Sequence, residues 1–446
     1  MNTPPPNVLI SRGASLPPLR ESHAHLHMLG RSLGMLSLAD CTSIDACLDR
    51  VRSEAARLNT SDPSGTQWLM ACAMRIEGWT DPRWPTRAEL DESCGRRPAV
   101  LLSFDHHSAA ANTTAFTAAG MHDASPNPEG GVIARDAAGA PTGVLLEAAA
   151  KKVWNAAPEP GPAERAPMVK AALAHLHALG FREVHDLLSP PWLGPLLADL
   201  SDRGELLMPV GLYPLLPDLA AQVEAARAYA RRDVTLMGGK VFADGTLNAR
   251  TAWMLSPYAD APGDHPTGMA LMREESLRSA VAQTRALGVG LAVHAIGDAA
   301  VRATLNAWEH SGASPSRGEV QRTRNGAPCL RIEHCEIIDE RDVPRFASLG
   351  VVCSVQPCHL LADIDVLERA LPHRLHRVLP LRDLIRAGSR PGDGLVFGSD
   401  VPIVRADPAD SIQAATQRRR ADMPTSPAIA PEQSITLDDA VRAFHT

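Results

Sequence analysis

The sequence predicts an α/β fold: a (β/α)8 barrel of the TIM type with a large insertion after its first strand. Three observations predict it. From residue 166 onward, helix-like and strand-like segments alternate with regularity. Each strand segment is a short apolar run, as expected when both faces of a strand are covered. With LRESHAHL at the front counted, the strand segments number eight, and eight βα units favour a barrel over an open sheet.

In chain order, the first strand is followed by a segment of different texture, residues 41–165. It is rich in Pro, Gly, Asp and Asn, as in PNPEGGVIARDAAGAPTG, with AVLLSF as a strand candidate. An insertion of this length reads as a lid over the barrel mouth that shapes the substrate site, and a peripheral decoration fits the same composition. The barrel is assigned to 1–40 and 166–446. Its helix-like stretches are APMVKAALAHLHALG, PPWLGPLLADLSDRG, PDLAAQVEAARAYARR, EESLRSAVAQTRALG, a helix near 299–311, DERDVPRFASLG and PLRDLIRAGSRPGD. They lead in turn into FREVHDL, LLMPVGLYPLL, VTLMGGKVFADG, VGLAVHAIG, CLRIEHCEII, VVCSVQP and LVFGSDVPI. Several of these helices run into a Gly, the residue that ends helices without strain. A capping pattern, Thr436 to Asp439, opens a last helix.

Composition narrows the function. The net charge of −7 is spread along the chain, with no basic patch interleaved with aromatics, so nucleic acid is not the expected partner. No run approaches the roughly 18–20 apolar residues of a membrane helix, and the N-terminus lacks the pattern of a secretory signal. The eight cysteines contain no Cys-x-x-Cys pair and read as reduced thiols of a cytoplasmic protein. The expected partner is a small-molecule substrate, with a homodimer left open. Gly130–Gly131 and Gly238–Gly239 lack phosphate-loop spacing and read as turn or packing positions.

The histidines carry the chemistry. His23 and His25 stand two residues apart, and on a strand such residues project to the same side and can share one cation. His27 continues the spacing but is expected beyond the strand. His294, His334 and Asp400 each end an apolar strand, the fifth, sixth and eighth. Singly, each has a bland account, as a core histidine bonded to backbone or an Asp that starts a helix. Gathered at the carboxyl end of one barrel, where such folds keep their chemistry, they read as ligands for zinc, or for iron or manganese. Lys240 closes the fourth strand; as a carbamate formed with CO2 it gains a carboxylate that can bridge two metals, while as a plain lysine it is a salt-bridge partner.

This set resembles the amidohydrolase superfamily. ESHAHL, FDHHSAAANTTAF, PEGGVIARDAAGAPTGVLLEAA, KVFADGTLNARTAW, HAIGDAAV, RIEHCEII, SVQPCHL and FGSDVPI resemble its third amidohydrolase family, which includes N-substituted formamide deformylases. The resemblance implies metal-site roles for His23, His25, Lys240, His294, His334 and Asp400. It implies substrate contacts from His107, Asp244, Arg250 and Thr251, although Arg250 also reads as a structural salt-bridge partner. Two departures stand out. Glu21 occupies a position where the family usually has Asp, and the termini are too short for the β-sandwich that members usually carry, so a barrel without a sandwich is expected.

The expected reaction is hydrolysis of an amide-like C–N bond of an N-acyl or N-formyl amine. One or two Zn2+ ions would bring the pKa of water from about 15.7 towards 7, and Asp400 would take the proton and deliver it to the leaving amine. Two alternatives use the same residues differently: a cyclic amide hydrolase or deaminase, and a barrel that only binds.

Overall fold

The computed structural model describes residues 17–76, 79–103, 108–128, 131–261, 265–312, 318–420, 423 and 425–445. These fall into two compact units, 17–29 with 169–445, and 30–168. The division therefore comes after Leu29 rather than after residue 40. The reason is a strand: Leu36–Ser37 pairs with Leu69–Met74 in the sheet of the second unit, which draws the preceding segment into that unit.

In the first unit every expected strand segment contains a strand, and all the ladders are parallel. Leu19–Ala24, Phe181–Asp186, Val210–Leu212 and Val234–Leu236 form one sheet in that order. Gly238–Phe242, Gly290–Ala295, Leu330–His334, Val352–Val355 and Leu395–Phe397 form the next. A single residue, Met237, hands the chain from one sheet to the other: its N–H donates to the Leu212 carbonyl at 3.0 Å and its carbonyl accepts from Gly290 N–H at 2.8 Å. Both Gly238 and Gly290 stand where backbone meets backbone. A Cβ on Gly238 would lie 2.2 Å from the Gly290 oxygen, so the pair read as a packing position is one. Beyond the two ladders, Asp400 N–H donates to His23 O at 2.7 Å and His25 N–H to Val401 O at 2.9 Å, tying the end of the last strand to the first.

Strand burial explains the apolar runs, since all six residues of Gly290–Ala295 are buried. The intervening helices include Leu193–Asp202, Leu216–Tyr229, Glu274–Leu287, Asp298–His310, Val343–Leu349 and Leu381–Arg386. Gly288 (φ 72°) and Gly350 (φ 62°) end two of them in the left-handed conformation. Helix Leu437–Arg442 starts on the Thr436 cap, whose hydroxyl accepts from Asp439 N–H, and carries Phe444 in against Phe181 and Phe397.

The second unit is more ordered than its Pro- and Gly-rich sequence implies. Six strands run in the order Leu36–Ser37, Leu69–Met74, Ala99–Ser103, Ser108–Ala111, Pro141–Glu147, Gly131–Arg135. The first two pairings are parallel and the rest antiparallel. Alternation splits its core in two: Ala99, Leu101 and Ala110 join one apolar cluster while Val100, Leu102 and Ala109 join another. No helix of the described residues is long and apolar enough to cross a membrane, and all eight cysteines are free thiols.

Candidate metal centre

The centre is built outward from His23, which is 1% exposed on the first strand. Its Nδ1 donates to Glu333 Oε2 at 2.7 Å, which leaves the lone pair on Nε2, 3.2 Å from Asp400 Oδ1. A carboxylate on one ring nitrogen fixes the tautomer and orients the other nitrogen toward a cation. Glu333 is itself held. Arg331 engages both its oxygens and donates further to Ser22 O at 2.6 Å, Ser354 Oγ at 2.9 Å and His185 Nδ1 at 2.9 Å. Burial would raise the Glu333 carboxyl, but the Arg331 guanidinium and His23 hold it well below the usual carboxylate range. Glu21 supports the same strand: Oε1 accepts from His23 N–H and Ser399 N–H, and Oε2 from the Ser399 hydroxyl. Burial pushes its carboxyl up to about 7.

Backbone conformation aims the ligands on the other strands. Along Leu330–His334, Arg331 and Glu333 are two apart and both meet the His23 network, so simple alternation would turn His334 away. Instead His334 (φ 71°) and Cys335 (φ 47°) take the left-handed conformation, and the His334 ring lies 5.0 Å from that of His23 and 4.4 Å from that of His294. Asp400 does the same at φ 65°. Its Oδ1 lies 2.7 Å from His25 Nε2. His294 Nε2 donates to the Gly245 carbonyl at 3.0 Å, which leaves its Nδ1 lone pair unprotonated.

Electrostatics suits a cation. Burial first, then neighbouring positive charge, lowers His294 to about 3 and His334 well below the ordinary imidazole value, so both are neutral at pH 7. Neutral imidazole is the form that binds a metal. Asp400 stays ionised: burial raises it, but His23 and His25 outweigh that. Lys240 is 1% exposed, its Nζ has no hydrogen-bond partner among the described residues, and burial lowers it to about 8. His25 Nδ1 and His334 Nδ1 are likewise buried and unpartnered. Donor atoms of His23, His334 and Asp400 lie within 4.8 Å of one another. Orphaned donors of the right chemistry converging on one point fit a divalent metal.

The structure thus brings His23, His25, His294, His334 and Asp400 together, with Lys240 near enough for its charge to contribute, after burial, to the lowering of His294 and His334. The four residues expected at substrate stand differently. Asp244 is buried and accepts from the N–H groups of Trp253 (2.9 Å), Ile296 (3.0 Å) and Gly297 (2.8 Å). Arg250 pairs with Asp260 at 2.6 and 2.8 Å and donates to the Leu247 and Asn248 carbonyls. Thr251 Oγ1 accepts from Thr246 N–H. His107 lies outside the described residues. Sequence reasoning missed Arg331 and Glu333; strand parity within RIEH was the available signal. It also missed Gln356, 3.3 Å from His23 Nδ1, and His359, whose ring centroid lies 5.8 Å from that of His334.

Comparison with known proteins identifies the family. The profile of the Amidohydrolase family matches residues 13–445. The Bacillus subtilis protein YtcJ is 27% identical, over 98% of this chain and 79% of its own. N-substituted formamide deformylase of Arthrobacter pascens is 26% identical, over 94% of this chain and 76% of its own. Among solved structures, an uncharacterized metal-dependent hydrolase from Pyrococcus horikoshii OT3 matches with TM-score 0.73 at 25% identity, covering 96% of this chain and 79% of the other. With matching sequence along almost its whole length and neutral His294 and His334 gathered near an ionised Asp400, this chain belongs to the amidohydrolase family and is a hydrolase of the metal-dependent kind.

Proposed function

We propose that the protein hydrolyses the amide-like C–N bond of an N-acyl or N-formyl amine. The observation that carries this reading is the pair of buried, neutral imidazoles, His294 and His334, gathered with His23 beside Asp400. His23, His25, His294, His334 and Asp400 would hold one or two Zn2+ ions. A carbamate on Lys240, formed as neutral Nζ bonds to the carbon of CO2 and sheds a proton, would add a carboxylate. When bound, such an ion supplies Lewis acidity, which activates water and polarises a carbonyl.

The chain's own groups do the rest. Asp400 accepts the proton of the attacking water as its oxygen adds to the carbonyl carbon. The same carboxyl returns that proton to the nitrogen as the C–N bond breaks, so the products are a carboxylic acid and an amine. Glu333 keeps the His23 proton on Nδ1 throughout. Asp244, Arg250 and Thr251 have their polar groups committed to backbone or to Asp260, so we assign them to shaping the loop beside the substrate. We further infer that the two parallel sheets close as an eight-stranded barrel, supported by the Met237 hand-over and the Asp400–His23 backbone bond. The activity named for the Arthrobacter pascens relative, removal of a formyl group from an N-substituted formamide, makes N-formyl amines the first substrates to try.

Zinc-loaded protein should release formate or a carboxylate from a panel of N-formyl and N-acyl amines. Asp400→Asn should retain at least half the metal and lose about 10²–10⁴-fold in kcat. Turnover of the variant near the parent rate would remove Asp400 from the mechanism, and hydrolysis confined to cyclic amides would replace the proposed substrate class.

A further inference from the structure

Next to the centre lies a second group of ligand-type side chains. Glu336 follows the strand that carries His334, His359 ends the short helix Pro357–His359, and Asp363 sits one turn on in helix Leu360–Ala370. One donor atom from each lies within 4.8 Å of the other two. His359 Nδ1 is 3.9 Å from Asp363 Oδ2. The opposite ring nitrogen, Nε2, is 3.9 Å from Asp400 Oδ2, too far for a hydrogen bond, and it has no hydrogen-bond partner among the described residues. Glu336 is 3% exposed, and its Oε1 is buried with no hydrogen-bond partner among the described residues. Asp363 accepts from Asn248 Nδ2 at 3.1 Å.

Two carboxyl groups placed together out of water repel each other, and an unpartnered buried oxygen carries its full desolvation penalty. A cation between them relieves both costs. We propose that Glu336, His359 and Asp363 bind a divalent transition-metal ion of their own, separate from the one held by His23, His334 and Asp400. One imidazole and two carboxylates are a donor set that suits Zn2+ or Mn2+. Ligands around one tetrahedral ion stand about 3.4 Å apart, so donor atoms within 4.8 Å of one another close the site by moving less than about 1 Å each. His359 then binds this ion through Nδ1 and keeps its proton on Nε2, toward Asp400. The inference does not depend on the proposed hydrolysis, only on these three side chains.

The test uses the intact protein first. Crystals grown after chelator treatment and reloading with millimolar Zn2+ should give an anomalous peak at the zinc edge bounded by Glu336, His359 and Asp363, apart from any peak among His23, His334 and Asp400. A filled first site with no density at the second overturns the proposal. Density only at the second upholds it and counts instead against the reading of the first. In solution, Glu336→Gln and Asp363→Asn, which approach from different elements, should each lose one zinc equivalent per chain while His334→Ala keeps it. Unchanged stoichiometry in a variant whose thermal unfolding matches the parent also overturns the proposal.

Discussion

Replacing Glu333 by glutamine isolates the charge beneath His23 without changing the shape of the side chain. In the parent, Glu333 is fully buried between Arg331, 1% exposed, and His23. Glutamine leaves the Arg331 guanidinium buried with only dipoles around it: Ser22 O, the Ser354 hydroxyl, His185 and the new amide. Breaking a buried pair this way costs about 3–5 kcal/mol, and the retained amide oxygen argues for the lower end, about 3 kcal/mol. The same change replaces the carboxylate that fixes the His23 tautomer by a neutral and weaker acceptor, which costs about 10–100-fold in metal affinity. The pH dependence has a definite sign. Glu333 titrates well below its ordinary 4.5 in the folded chain, so its stabilisation is present above that value and is lost as pH falls through the folded pKa. Urea unfolding of the metal-free proteins should therefore show a wide gap at pH 7 that narrows in acid, and competition with a chromogenic chelator should show the weaker metal binding. A variant within about 0.5 kcal/mol of the parent in stability and within about threefold in zinc affinity would refute this account of how His23 is held.

Two further predictions follow from the same geometry. Burial lowers Lys240 to about 8, so near pH 7 about one-tenth of it is the neutral amine, against about 0.03% for an exposed lysine; metal loading should rise with bicarbonate and with pH up to about 8, and Lys240→Ala should abolish the bicarbonate response while the parent retains it. Gly398 packs against His23 so closely that an added Cβ would lie 2.5 Å from His23 N, a backbone atom; Gly398→Ala should cost about 1–3 kcal/mol in unfolding and weaken zinc binding, and an unchanged zinc affinity would show that His23 tolerates displacement.

How much of this could be read from residues alone follows from what each signal encodes. Strands buried on both faces must be apolar throughout, so VGLAVHAIG and LVFGSDVPI stand out, and the polar residue ending each is visible by contrast. His294, His334 and Asp400 were legible for that reason, and His23 by its spacing from His25. Glu333 was not, because beside His334 it looks like part of the same strand end; its pairing with His23 is a contact between two strands far apart in sequence. The left-handed turn that brings His334 round leaves no mark in the sequence, since no glycine stands there to signal it. The sheet of residues 30–168 was hidden by its shortness: Leu36–Ser37 and Ser108–Ala111 are too brief to show periodicity, and their partners are set by pairing at a distance. His359 escaped because it lies on a helix turn rather than at a strand end.

The φ values of His334 and Asp400 bear on how the protein will respond to selection in the laboratory. Each holds a side chain in a backbone region that costs an L-residue about 1–2 kcal/mol and glycine nothing. Glycine at either position would relieve that cost and delete a ligand in the same stroke. A screen that rewards heat resistance without also demanding turnover would therefore erode these two positions early, and survivors would melt later than their ancestor while doing nothing.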